Sequence, residues 1–444
     1  LPLRNRQAEL VGVLCLVYRG IADVADDGQF DNQLAFISAL SGFAAVSLES
    51  WQLLMMQKAL LDAFIKLIAG AIDSKSPYTG GHCQRVPELT KLLARAACES
   101  TAEPFRDFTL DDQQWEALDI ASWLHDCGKV TTPEYVVDKA TKLETLYDRI
   151  HEIRMRFEVL KRDAELRYWK RRAAGEDAAG LDAAMQDELK RLDDDFAFVA
   201  ECNLGGEFMA PEKVERLHRI ADYDWVRTLD DRLGVSWEER QRMERDAASP
   251  LPVTEKLLDN KVEHLIERQA VDRLATDNPW GFRMDTPQYK YNRGELYNLE
   301  VGRGTLTEEE RYKINDHIMQ TIIMLEKLPY PKHLRDVPLI AGCHHETMDG
   351  KGYPKRLSRD EMPLTARMMA IADIFEALTA SDRPYKKAKR LSEAIRIMGF
   401  MKKDRHIDPD LFELFLRSGI YQEYGRRFLQ ADQLDEVNVS EYLD

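Results

Sequence analysis

Several of the ten histidines in this 444-residue chain stand in compact polar motifs. His82 follows Tyr78-Thr79-Gly80-Gly81 and precedes Arg85. His125 and Asp126 sit within Trp123-Leu124-His125-Asp126-Cys127-Gly128-Lys129. His344-His345-Glu346 precedes Asp349-Gly350-Lys351-Gly352-Tyr353-Pro354. Asp373 interrupts an apolar helical segment, Ala370-Ile371-Ala372-Asp373-Ile374-Phe375. A buried carboxylate without a partner costs several kcal/mol, so Asp373 needs a cation. Imidazole nitrogens with carboxylate oxygens suit iron, manganese, zinc, nickel or cobalt, and the lack of thiolate ligands disfavours a structural zinc site. One histidine on an apolar face is usually a satisfied core residue, and a lone His-Asp pair is common by chance. The combination of these motifs points to a metal centre.

Helices must position most of these groups. Segments from about Ala59 onward read as mainly helical, broken at Pro77-Tyr78-Thr79-Gly80-Gly81, Thr131-Thr132-Pro133 and Pro329-Tyr330-Pro331. Before them, Val11, Val13, Cys15 and Val17 alternate as a half-buried strand would, and residues 1 to about 25 read as a β-hairpin fragment. Phe36, Leu40, Phe43, Val46 and Leu53, then Leu61, Phe64, Ile65 and Ile68, predict one long helix from Phe30 to about Ile72. Ile150, Ile153, Phe157 and Leu160 form one apolar stripe. Leu181, Met185, Leu189, Leu192, Phe196 and Val199 form another across the turn Ala173-Ala174-Gly175-Glu176-Asp177. Together they predict an antiparallel helical hairpin with charged outer faces, expected to stand as a solvated structural arm. Residues 203 to 301 are mixed and suggest no separate function. The fold class expected is mainly α.

Composition bounds the partners. The net charge is -16, which excludes a basic coat for binding nucleic-acid polymers but leaves an anionic small-molecule substrate open, because a metal overrides the global sign locally. The six cysteines are sparse and form no CxxC pair, which favours a reducing compartment and a cytoplasmic location. No apolar run reaches the roughly 20 residues that a membrane helix needs. The chain begins with leucine and reads as a fragment, whose upstream part could carry a sensor or a membrane anchor.

The motifs resemble the HD-GYP family, the HD-domain metal phosphohydrolases associated with cyclic di-GMP hydrolysis. The matching stretches are Tyr78 to Val86, Leu124 to Lys129, Leu306-Thr307-Glu308-Glu309-Glu310 through His317, His344 to Pro354, Asp373 to Thr379 and Asp382-Arg383-Pro384-Tyr385-Lys386. They lie within about 60–143 and 302–425. Residues 1–50 look like the C-terminal end of a GAF domain. The division this suggests is 1–50 GAF-like remnant, 51–143 first HD-GYP part with a signalling helix, 144–301 insertion, 302–425 second HD-GYP part and 426–444 acidic tail.

The resemblance implies an HD-type helical bundle and the metal ligands His82, His125, Asp126, His317, His344, His345 and Asp373. Asp126 would bridge two divalent ions, iron or manganese first, then nickel, cobalt or zinc. His82, His125 and Asp373 would complete one shell and His317, His344 and His345 the other. Ions about 3.5–4 Å apart can share a hydroxide that attacks phosphorus. Asp126 and Lys129 are the implied catalytic residues, Lys129 neutralising phosphate charge or aiding the leaving oxygen. Arg383 and Lys386 match positions that grip phosphates, and the Gly352-Tyr353-Pro354 turn lies near substrate and a partner-contact surface. The expected reaction is hydrolysis of cyclic di-GMP to the linear dinucleotide and onward to GMP. Cyclic GMP-AMP is the alternative substrate. A low-turnover nucleotide sensor and a redox-responsive di-iron protein are the rival classes. A GGDEF-type signalling partner and a homodimer paired through the long helix are further expectations.

Two departures from the family pattern matter. Some members place a glutamate four residues before the first histidine and hold a third metal; here that residue is Tyr78, so two metals are expected. The second departure is the insertion at 144–301. His151 falls within it, beside Ile150 and Ile153, and is expected to be a packing or surface residue. His218, His264, His333 and His406 have no motif context. Cys83, Cys127 and Cys343 adjoin expected ligands, but neighbouring helical side chains diverge by about 100°, so they read as packing residues.

Overall fold

The computed structural model describes residues 1–5, 7–15, 17, 27–75, 81–380 and 388–443. The described chain divides into two compact units, Leu1–Ile68 and Ala69–Asp444. It is mostly helical, as expected, with three small two-stranded sheets.

In the first unit β1 (Pro2–Arg4) pairs antiparallel with β2 (Leu10–Val13). The hairpin is present, but the half-buried strand expected through Val17 is not. Val13 and Val17 are 69% and 89% exposed, and Cys15 is exposed too. A two-stranded ribbon has little to bury against; Gly12 faces Leu48, and Asn5 donates to Glu49 at 2.9 Å. The long helix α1 runs from Asp27 to Asp73. Much of its apolar surface is open, including Phe36, Phe43, Trp51 and Met56. Among the described residues no helix is long and apolar enough to cross a membrane.

In the second unit α2 (His82–Glu99) and α3 (Asp112–Leu124) pack together. A capping box starts α3: Gln114 N–H donates to Asp111 at 2.8 Å, and Asp111 N–H donates back to Gln114 at 2.9 Å. A 3-10 turn, Cys127–Thr131, follows. Next comes the helical hairpin, α4 (Ile150–Ala173) and α5 (Ala178–Asn203). The periodicity placed both helices and the turn between them. Ile150, Ile153, Phe157 and Leu160 are buried, and Phe157 meets Phe196 edge-on at 5.5 Å. Asp177 caps α5 by accepting from Gly180 N–H at 2.9 Å.

Residues 203–301 contain α6 (Pro211–Ala221) and two antiparallel pairs, β3 (Asp224–Arg227) with β4 (Val253–Lys256), and β5 (Leu265–Glu267) with β6 (Tyr289–Asn292). The hairpin is not a solvated arm. Its stripe shares one core with Leu217 and Ile220 of α6, and with Leu257, Leu258 and Leu299.

The chain then forms α7 (Glu308–Glu326), α8 (Val337–Gly342) and α9 (Leu364–Thr379). Three short helices close the unit: α10 (Leu391–Lys403), α11 (Pro409–Arg417) and α12 (Ile420–Phe428). Helix α9 is nearly all buried. It packs on α2, and its Phe375 meets Phe415 and Tyr424 edge-on at 5.0 and 5.6 Å.

Where the chain leaves the first helices and where it returns, a single ion pair joins the two ends. Glu310 closes the capping box of α7 with Thr307, whose N–H donates to it at 3.0 Å, and also takes the buried Lys139 ammonium at 2.7 Å. Removing one member of such a pair leaves an uncompensated buried charge. Lys139→Ala is expected to cost about 3–5 kcal/mol in urea unfolding. Arg162→Ala, which removes an exposed pair with Glu165, should leave the midpoint unchanged.

Candidate metal centre

Asp126 starts the turn directly after α3, and that turn packs on α7. Only glycine fits at position 128: an added Cβ would lie 1.9 Å from His317 O and 2.6 Å from Thr321 N. Gly128 N–H donates to Thr321 Oγ1 at 2.9 Å. The His-Asp motif is thereby brought against the middle of α7, where His317 stands.

The two oxygens of Asp126 face different sets of groups. Oδ2 lies 3.2 Å from His82 Nε2 and 3.4 Å from His125 Nε2. Asp373 adjoins the same pair, 3.3 and 3.8 Å from those nitrogens. Oδ1 lies 3.1 Å from His317 Nε2 and 3.9 Å from His344 Nε2. His345 completes the second cluster, its ring 5.3 Å from that of His317 and 4.3 Å from that of His344. Ligand atoms of His82, His125 and Asp126 lie within 4.8 Å of one another, as do those of His317, His344 and His345. The structure thus gathers every expected ligand into one buried place. Asp126 Oδ1, His317 Nε2 and His344 Nε2 are buried without a hydrogen-bond partner. Buried polar atoms are normally paired, so this converging set fits divalent metal ions.

The rings are oriented for that task. His125, His317 and His344 each turn Nδ1 onto a backbone carbonyl three residues back, those of Ser122, Ile314 and Ala341. An Nδ1–H donating there leaves Nε2 as the free lone pair. His82 Nδ1 instead meets the fully buried Glu376, which also takes Arg85 at 2.7 Å. Sequence reasoning missed Glu376 and gave Arg85 no role. The signal was present: Glu376 stands one turn beyond Asp373, and Arg85 one turn beyond His82.

Charge is unevenly shared. Burial opposes a proton on His125, yet Asp126 and Asp373 outweigh it and lift the ring to about 9. Desolvation, then the His125 charge, push His344 down to about 4. Lys129 pairs with Asp126, and its side chain remains 28% exposed. Burial pushes the Cys127 and Cys343 thiols up to about 11 and 12, and Cys83 higher still, so all three stay protonated, as packing residues should. His151 is exposed on α4.

Beyond His345 the chain turns sharply. Tyr353 stacks on the His345 ring at 4.9 Å, and its N–H donates to His345 O at 3.1 Å. Glu346 is buried and accepts from Lys355 and Leu357 N–H at 2.7 and 2.9 Å. A Cβ at Gly352 would lie 2.4 Å from Glu346 Cα, so the turn closes only with glycine. Gly352 and Tyr353 line a cleft of about 380 Å³ with Arg311, Asn315 and Arg356. Residues of the 144–301 segment form its far wall: Asp285 pairs with Arg356 at 2.6 Å, and Arg283 N–H donates to Pro354 O at 2.7 Å. Arg383, Lys386 and Tyr78 lie outside the described residues.

Residues 252–411 match the HD domain family. The match takes in His317, His344, His345 and Asp373 and begins inside the segment expected as an insertion. A cyclic di-GMP phosphodiesterase of Pseudomonas aeruginosa is 47% identical over 95 residues, 21% of this chain and 22% of that one. A 3′3′-cGAMP-specific phosphodiesterase of Vibrio cholerae is 38% identical over 111 residues, 24% of this chain and 23% of that one. A cyclic di-GMP phosphodiesterase response regulator of Xanthomonas campestris is 27% identical over 199 residues, 43% of this chain and 52% of that one. The chain spans from about a fifth to about half the length of these relatives. The helical architecture agrees with an HD-domain fold.

Glu376→Gln keeps the volume but removes the charge that orients His82. Metal affinity should fall about 10–100-fold in a chelator-competition titration. The sign of the pH dependence follows from His125: its proton is held up to about 9 in the metal-free site and must leave when a metal binds. Affinity for added manganese should therefore rise as pH rises toward about 9, with protons released on loading. Calorimetry in buffers of different ionisation heat would show that release, and a pH-independent affinity would contradict the assignment.

Proposed function

We propose that this chain is an HD-GYP-type phosphodiesterase that hydrolyses a cyclic dinucleotide, cyclic di-GMP first. The observation that carries the reading is Asp126, buried between two imidazole clusters with one oxygen toward each. The likeness to named cyclic di-GMP phosphodiesterases supports the substrate class. Cyclic GMP-AMP remains the second substrate reading because relatives named as specific for it match at 38% and 48% identity over 111 and 77 residues.

His82, His125 and Asp373 would hold one divalent ion, His317, His344 and His345 the other, with Asp126 between them; iron or manganese suits these donors. Such a pair supplies positive charge to a phosphoryl group and a water of lowered pKa. Glu376 and the backbone carbonyls hold the imidazoles in the tautomer that this needs. Lys129, part-exposed beside Asp126, offers an ammonium to a phosphate oxygen or to the leaving 3′-oxygen. Burial lowers and Asp126 raises its pKa, with a net rise, so the ammonium stays charged. Arg383 and Lys386 are proposed to grip the substrate's phosphates. Gly352, Tyr353 and Pro354 border the substrate; Arg311 stands in the same cleft, where Arg356 is already paired with Asp285.

The division into a GAF-like remnant, two HD-GYP parts around an insertion, and an acidic tail belongs to this reading. So does a homodimer through α1, whose exposed Phe36, Phe43 and Met56 would find cover on a second copy. Light scattering across a wide concentration range should give twice the chain mass; a monomer throughout removes the dimer.

The central test is anaerobic purification, metal analysis and chromatography of products from cyclic di-GMP and, separately, cyclic GMP-AMP. Two metals per chain and linear product are expected, with Asp126→Ala losing both. Bound metal with neither nucleotide cleaved would overturn the phosphodiesterase in favour of a nucleotide sensor.

A further inference from the structure

A larger cleft, about 480 Å³, lies in the seam between residues 268–291 and α7. None of the groups assigned to metal lines it. Its volume falls in the range of roughly 300–1,000 Å³ that small-molecule sites occupy. Its charge is unlike that of the chain as a whole, which is -16. Two carboxylates enter it, and each is already neutralised: Asp272 by Lys290 at 3.0 Å and Asp316 by Lys313 at 2.8 Å. Two guanidiniums are left over. Arg268 donates to the carbonyls of Pro287, Asp272 and Tyr289 at 3.1–3.2 Å and lies 4.7 Å from the Tyr312 ring centre. Carbonyls fix this side chain without cancelling its charge. Arg273 is exposed at the cleft and has no carboxylate partner among the described residues.

Aromatic surface stands beside this charge. Trp280, half-buried, stacks on Phe282 at 5.8 Å and 11°, and both line the cleft with Tyr291 and Tyr312. Flat apolar faces take a base by stacking, and guanidinium takes a phosphate in a bidentate pair. We propose that this cleft is a second binding site, separate from the metal centre, for a planar aromatic phosphate of the purine mononucleotide class. The site also has a route to the metal centre. Lys313 and Asp316 are on the same helix as His317, and Thr131 of the rim ends the turn that Asp126 begins.

The test is calorimetry of GMP binding to the full metal-loaded chain, with inorganic phosphate and guanosine as separate probes. Arg273→Glu reverses an exposed charge, and Val271→Glu adds a negative charge at an 86% exposed rim position, so both should fold as the parent does. His345→Ala disturbs the metal centre instead. The expected result is GMP binding that both cleft variants weaken by about tenfold or more and that His345→Ala retains. Guanosine and phosphate should each bind more weakly than GMP. Two sites in the parent with one lost in each class of variant would support the proposal equally. No GMP binding, binding unchanged in both cleft variants, or binding lost in His345→Ala would overturn it. None of these readouts needs cyclic dinucleotide hydrolysis, so failure here and failure of the proposed activity are distinguishable.

Discussion

A carboxylate with 2% of its surface exposed has to be compensated from every side, and Asp126 is that carboxylate. Its neighbours come from four separate places in the chain: α2, the end of α3, α7 and the turn after α8, with Asp373 of α9 beside them. No local interaction could assemble such a set. The helices must pack in one register for five imidazoles and a second carboxylate to converge. Close backbone approach enforces this register where side-chain packing alone would allow slippage. Gly128 lets the His-Asp turn touch the α7 backbone, and Gly352 lets the following turn close on Glu346. At both positions an added Cβ would run into backbone, that of His317 and Thr321 in one case and that of Glu346 and Thr347 in the other.

Beyond the first ring of donors, neutral and charged partners divide the work. Backbone carbonyls fix three histidines with no change in charge. His82 instead has a carboxylate behind it, and Glu376 is itself steadied by Arg85. Desolvating Glu376 completely would be costly without those two partners. The pair Glu376–Arg85 therefore lets a negative charge sit behind a ligand without competing for the metal. Lys129 compensates Asp126 on the solvent side, where an anionic substrate would also arrive.

Periodicity revealed the helices and the helical hairpin, and short motifs with chemical content revealed His82, His125, Asp126, His344, His345 and Asp373; His317 was legible only through the family resemblance. Other features were hidden for physical reasons. Glu376 looks like an ordinary polar residue of a helix until the burial of α9 is known. The strand at Val11 to Val17 alternates correctly, but alternation says which face could be buried, not whether anything covers it. The stripes on α4 and α5 predicted helices equally well for a free arm and for a packed element. Only the third layer, Leu217, Leu257 and Leu299, distinguishes them, and it comes from a segment with no clear periodicity of its own.

That segment is also tied to its surroundings where it begins and ends. Lys139 and Glu310 lie on either side of it in sequence, yet they meet as a buried pair, and Lys142 donates to Leu299 O at 2.7 Å. The 144–301 segment thus leaves and re-enters through a closed neck, with one core around Phe157, Leu217 and Leu257. Because Glu310 also caps α7, the neck and the start of the helix bearing His317 share one carboxylate. A disturbance in the inserted layer reaches the centre by that route, or through Asp285 and Arg283 at the turn that stacks Tyr353 on His345. Apolar packing joins the layer to α7 as well: Phe282 shares one core with Tyr312, Ile318, Met319 and Ile322 of α7, and Leu274, Trp280 and Met284 pack against it, so this segment braces the helix that bears His317 along its side.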